Sequence, residues 1–174
     1  MVLATQNPLE YQGTFPLPEA QLDRFIMKIS LGYPDKKHEI EILKNSQNNR
    51  NISEIEPVAT KIDIQKMQQD VENIVVHDDI LDYIVQIANA TRNDENLTLG
   101  VSPRASIDLL KVAKAKAYLY GREYVIPDDV KEMVVPVLIH RLILSSGARM
   151  ENISIEEILE RVLKRVTVPV RINE

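Results

Sequence analysis

Three side chains of this 174-residue sequence stand where they could act on a phosphate: Asn7, Arg24 and Arg104. Asn7 follows the apolar run Val2 to Ala4, at the carboxyl end of an expected strand, where open α/β sheets collect ligands. A neutral amide there can orient a water or a phosphate oxygen without adding charge. On its own spacing, Asn7-Pro8 is simply a turn. Arg24 closes a short helix expected from Pro18, with Glu19 in the first turn and the cation in the last, as the helix dipole favours. A surface arginine is an adequate reading of it, although a guanidinium fixed at a helix end is also what phosphoryl transfer borrows from a neighbour. Arg104 is less at home. It is the second residue of a helix that Ser102 caps and Pro103 begins, where a cation is disfavoured by roughly 0.3–1 kcal/mol. An anion should compensate, either a phosphate on the free N–H groups of that turn or Asp108, four residues on.

Other chemistries find less support. There is no cysteine, which removes disulfides, thiol nucleophiles and thiolate metal sites. His38, His77 and His140 lack metal-ligand spacing and read as ordinary surface or core histidines, and no metal ligands are assigned. His77-Asp78-Asp79 after Ile74 to Val76 imitates a magnesium-holding strand end, but its place after the Asn7 strand makes it a helix cap instead. A phosphate-binding loop, G-x-x-x-x-G-K-[ST], does not occur: none of the five glycines precedes a lysine. The net charge of -5 and interspersed signs argue against a nucleic-acid binder. No run approaches the ~18 apolar residues of a membrane span, and without a secretion signal the chain reads as cytoplasmic.

The elements that would position these residues change character along the chain. Val2 to Ala4 and the β-rich Phe25 to Leu31 read as strands on either side of the short helix. After the break at Gly32 to Pro34 the pattern is helical. Helices are expected over Asp35 to Leu43 and Ile62 to Val71, with a polar loop from Asn45 to Asn51. Ile74 to Val76 is a short strand or entry segment. A stripe of Ile80, Leu81, Ile84, Ile87, Ala88 and Thr91 then follows a cap at Asp78 or Asp79. The helix from Ser102 to Tyr120 presents Ile107, Leu110, Ala113, Lys114 and Ala117 and stops at Gly121. The helix from Pro127 should be interrupted at Pro136 and resume over Leu138 to Leu144. Ser154 to Glu157 is a capping box for a helix through Lys164, and Val166 to Pro169 a last short strand.

Taken together, Ala4 to Pro8, Gly13 to Phe25 and Ser102 to Ala105 resemble the MoxR family of AAA+ ATPases. Gly32 to Pro34, Tyr124 to Val130 and Val137 to Leu142 extend the likeness over most of the chain. The resemblance implies a mainly α fold: a helical lid, residues 34–174, preceded by a remnant of an α/β P-loop NTPase core, residues 1–33. It implies that Asn7 is the sensor-1 residue positioning the attacking water, Arg24 the arginine finger presented to the adjacent subunit, and Arg104 the sensor-2 arginine reaching the γ-phosphate. ATP and magnesium, a homo-oligomeric and usually hexameric ring, chaperone-like remodelling and von Willebrand factor A domain partners are implied in the same way. The Walker A and B segments would lie before Met1, so the chain reads as a C-terminal fragment, inactive in ATP hydrolysis alone. A strand and helix cut from a parallel sheet should leave residues before Pro34 disordered or paired with another chain. Two other readings are a non-catalytic helical interaction module and a magnesium-chelatase-like AAA+ subunit.

Overall fold

A computed structural model describes residues 2–6, 17–47 and 56–169. Its elements are α1 (Glu19–Leu22), α2 (Lys36–Gln47), α3 (Lys61–Glu72), α4 (Asp78–Arg92), β1 (Leu97–Leu99), α5 (Pro103–Leu119), α6 (Pro127–Leu138), a 3-10 turn (Ile139–Arg141), β2 (Ile143–Leu144), α7 (Ser146–Met150) and α8 (Ile155–Arg165). The fold is mainly α, as the sequence implied.

The core is built where helix stripes meet. α4 buries Ile80, Tyr83, Ile84, Ile87, Ala88 and Thr91, one face at helical spacing, with Tyr83 inside in place of the expected Leu81. α5 turns inward a ladder of Ala105, Leu109, Ala113 and Ala117. These mostly small residues, four apart, let α6 and α4 approach closely, and Ile107, about 200° round the helix from Ala105, stays half-exposed. α6 contributes Val130, Val134, Val137 and Leu138, and α8 adds Ile158, Leu159 and Val162 behind its Ser154–Glu157 capping box. β1 and β2 form an antiparallel pair, Leu97 opposite Leu144 and Leu99 opposite Ile143. Val75 bridges Tyr124 in parallel, which fits the entry segment expected at Ile74 to Val76.

Several expectations are corrected. Pro136 does not interrupt α6, which continues to Leu138. It lies in the last turn and removes one hydrogen bond, a cost of ~3 kcal/mol. The buried Val134, Val137 and Leu138 around it are each worth up to about 1.5–3 kcal/mol. The chain after it is a 3-10 turn and β2 rather than more helix. Val2 to Ala4, Phe25 to Leu31 and Val166 to Pro169 are not strands, since a strand needs a ladder partner and among the described residues only β1 and β2 form a sheet. His77 occupies the N-cap position of α4 without a side-chain capping bond, and Asp78 and Asp79 lie in the first turn. α2 runs through Gln47, over part of the expected loop.

The N-terminal part also departs from expectation, because Asp23 to Lys28 dock on the helical body of the same chain. The Lys28 amide donates to the Pro136 carbonyl at 2.8 Å, satisfying one of the end-of-helix acceptors of α6. Met27 packs against the core.

Candidate functional site

The site is assembled where the segment after α1 meets the start of α5. Arg141 is its centre. The guanidinium comes from the 3-10 turn, is buried, and reaches Asp108 at 2.6 Å through Nη2 and Asp23 Oδ1 at 3.3 Å through Nε. Nη2 also donates to the carbonyls of Asp23 at 3.1 Å and Phe25 at 2.7 Å. A buried guanidinium needs such pairing, and here Nη2 carries the hydrogen bonds, while Nε has only the ion pair with Asp23 and Nη1 has no hydrogen-bond partner among the described residues. Capture of these carbonyls accompanies the end of α1 at Leu22, with Asp23 as its C-cap, so Arg24 lies just beyond the helix and not in its last turn. His140, beside Arg141, donates from Nε2 to the same Phe25 carbonyl at 2.8 Å. Burial holds its pKa below the ordinary histidine value of 6.5, with Arg141 and Lys28 adding to the effect.

Asp23 faces a second partner. The Ser102 hydroxyl donates to its carboxylate at 3.2 Å, while the same hydroxyl oxygen accepts from the Ala105 amide at 3.3 Å as the N-cap of α5. A carboxylate therefore stands against the positive end of the helix that carries Arg104.

The predicted site residues fall out as follows. Asn7 lies outside the described residues. Arg24 is exposed, and its side chain makes no hydrogen bond or ion pair among the described residues, although both neighbours, Asp23 and Phe25, are held. Arg104 is exposed and likewise unpaired, because Asp108 turns inward to Arg141 instead of forming the i,i+4 pair. Two cations are thus displayed on segments joined through one carboxylate. Sequence reasoning gave no role to Asp23, Arg141 or Gly100, and offered Asp108 only as a partner for Arg104. The signal for Arg141 was a charge within the apolar run Val137 to Leu144.

Gly100 fixes how α5 begins. A Cβ there would lie 2.6 Å from Arg92 Cα and 2.7 Å from Arg92 N, so only glycine lets the chain pass the end of α4. Val101 is then held by Thr91 Oγ1 on its amide at 3.2 Å and Arg92 Nε on its carbonyl at 2.9 Å, and Ser102 follows.

This arrangement suits a phosphate: exposed guanidinium groups and, in the first turn of α5, the Arg104 amide, since Pro103 has no N–H and the Ala105 and Ser106 amides are bonded to Ser102. Among the described residues no group of three or more His, Asp or Glu is gathered to hold a metal ion, so none is assigned as a magnesium ligand. No helix there is long and apolar enough to cross a membrane.

The chain is similar to known proteins over nearly all of its length. Residues 1–27 match the ATPase family associated with various cellular activities, and residues 89–162 the AAA lid domain. The chain is 45% identical over 170 residues to the uncharacterized protein YeaC of Bacillus subtilis, covering 98% of this chain and 53% of that protein. It is 40% identical over 182 residues to the chaperone MoxR1 of Mycobacterium tuberculosis, covering 97% and 47% respectively. A crystal structure of a Cytophaga hutchinsonii protein named as an ATPase superposes with a TM-score of 0.87 at 36% identity, covering 94% of this chain and 52% of that one. The chain spans about half the length of the relatives it matches. Over that half, with the end of an AAA segment followed by an AAA lid, the chain belongs to the MoxR-type AAA+ ATPases.

Proposed function

We propose that this chain supplies the sensor and lid half of an ATP-hydrolysing ring whose Walker A and B segments lie in a core of the kind its relatives' greater length provides. Residues 1–33 act as the end of that core and residues 34–174 as the lid. Arg104 binds the γ-phosphate, through its guanidinium and with its own amide in the first turn of α5 beside it. Arg24 is the arginine finger offered to the nucleotide of the adjacent subunit, and Asn7 orients the attacking water. ATP with magnesium is the substrate, and turnover drives chaperone-like remodelling of protein partners, among them von Willebrand factor A domain proteins. The compartment is the cytoplasm. The observation that carries this reading is the pair of exposed, unpaired arginines on two segments that Asp23 ties together.

Chemically, the chain's part is electrostatic. Charge on the transferring phosphoryl group is met by guanidinium groups that are already placed, and so need no reorganisation during the reaction. Magnesium, when bound, neutralises phosphate charge. The chain alone is expected to leave ATP intact.

The test is a chimera in which this chain replaces the matching half of YeaC. ATP turnover is expected, with kcat falling by roughly 10³ in Arg24→Ala. Arg104→Ala should raise KM and lower kcat. Turnover indifferent to both changes, or hydrolysis by the 174-residue chain alone that Arg104→Ala abolishes, would overturn the proposal.

A further inference from the structure

We infer that Asp23 is a positioning residue, a clasp that fixes the backbone of Arg24 to the lid so that the lid's orientation sets where the finger points. This rests on the reading of Arg24 as an arginine finger and adds to it a means of control.

The argument starts from what is held and what is not. Arg24 itself touches nothing charged among the described residues, yet the residue before it and the residue after it are both gripped by the lid. Asp23 is held through its carboxylate by Arg141 and Ser102, and through its carbonyl by Arg141 again. Phe25 is held through its carbonyl by Arg141 and His140. Three residues on, the Lys28 amide is bonded to Pro136. A side chain that is free between two fixed backbone positions is aimed by its backbone, and here that backbone follows the 3-10 turn and the start of α5.

Chemistry selects Asp23 within this grip. Arg141 is buried and must keep Asp108 in any state of the lid, since an unpaired buried charge is costly. Asp23 is the more exposed of its two carboxylates, with 30% of the side chain accessible against 12% for Asp108. It can therefore let go and be rehydrated while Arg141 stays paired. Ser102 gives the release a second consequence, because the same carboxylate lies against the N-cap of the helix bearing Arg104. A phosphate arriving at that helix end would meet Asp23 as a competing anion. Nucleotide at Arg104 and the grip on Arg24 are thus linked through one carboxylate.

The experiment has two readouts on the same variants, Asp23→Ala and the milder Asp23→Asn. In the 174-residue chain, amide exchange at Lys28 is expected to quicken at least tenfold in Asp23→Ala and less in Asp23→Asn, with protection in α4, α5 and α6 unchanged. In the YeaC chimera, kcat is expected to fall at least tenfold while KM for ATP falls or stays the same, because a misdirected finger affects the reaction and the loss of a competing carboxylate can only help nucleotide bind at Arg104. Unchanged exchange at Lys28 overturns the inference, as does faster exchange with kcat intact, or a rise in KM with no fall in kcat. A dead Arg24→Ala chimera beside a fully active Asp23→Ala chimera removes the clasp alone. An active Arg24→Ala chimera removes the finger assignment, and the clasp with it.

Discussion

Arg122 and Asp129 show what a buried carboxylate does in this chain. Asp129 is 1% exposed, takes two bonds from Arg122 at 2.7 and 2.6 Å, and accepts the Ile126 amide at 2.9 Å at the start of α6. Losing one partner of a fully buried pair costs ~3–5 kcal/mol, but Arg122 keeps contact with water, so Asp129→Ala should cost nearer ~2 kcal/mol, cap included. Urea unfolding of the chain measures this, and a loss of about 0.5 kcal/mol or less would show the pair to be ornamental. Residues whose environment is local were legible from sequence. The misfit of Arg104 at a helix N-terminus follows from the dipole alone, and the structure leaves it exposed and unpaired. Asp23 and Arg141 were not legible, because their meaning is a contact across 118 positions, which no spacing rule reaches. The burial of Asp108 was missed for the same reason.

At the scale of elements, ends were easier to read than faces. Ser102, Pro103 and Gly121 gave both limits of α5, and Ser154 gave the start of α8, because capping is chemistry between near neighbours. The buried face of α5 was read only in part: Ala113 and Ala117 are buried, but Ile107 is exposed and Ala105 and Leu109 take its place, since which stripe turns inward depends on the helix opposite. β1 and β2 were invisible at three and two residues, too short for any periodicity. The approach of Gly100 to α4 yields a prediction here. In Gly100→Ala the added methyl meets backbone that cannot swing aside, so the turn between α4 and α5 must shift, at about 1–3 kcal/mol. Amide exchange should quicken at Val101, whose N–H is held by Thr91, before it does at the centre of α5. Unchanged protection at Val101 would mean that the passage is roomier than this geometry allows.

For the whole molecule, the helical lid was legible because most of its helices carry their own stripe and caps. The docking of Asp23 to Lys28 was not, because the surroundings expected for that segment were those of a parallel sheet. His140 makes the docking sensitive to acid. Its pKa in the folded chain lies below 6.5, so the unfolded chain takes up a proton first, and stability held above that value is lost as the pH falls through and below it. His140→Gln, whose amide can still donate to Phe25, should flatten the decline in urea midpoint between pH 7.5 and 5.5. Parallel declines in the two proteins would place the sensitivity elsewhere.

The bond from Lys28 to Pro136 has a topological consequence. The chain is attached to the helical body at Lys28 and again at α3, where Lys114 Nζ donates to the Glu72 carbonyl at 2.7 Å, so covalent connectivity between the two attachments closes a ring. While the ring is intact, the N-terminal segment stays near its berth at a high effective concentration. A single proteolytic nick within it turns an internal latch into an association between two pieces. The nicked chain should run as one species on a native column when concentrated and separate on dilution, and the midpoint of that separation is the dissociation constant of the N-terminal piece.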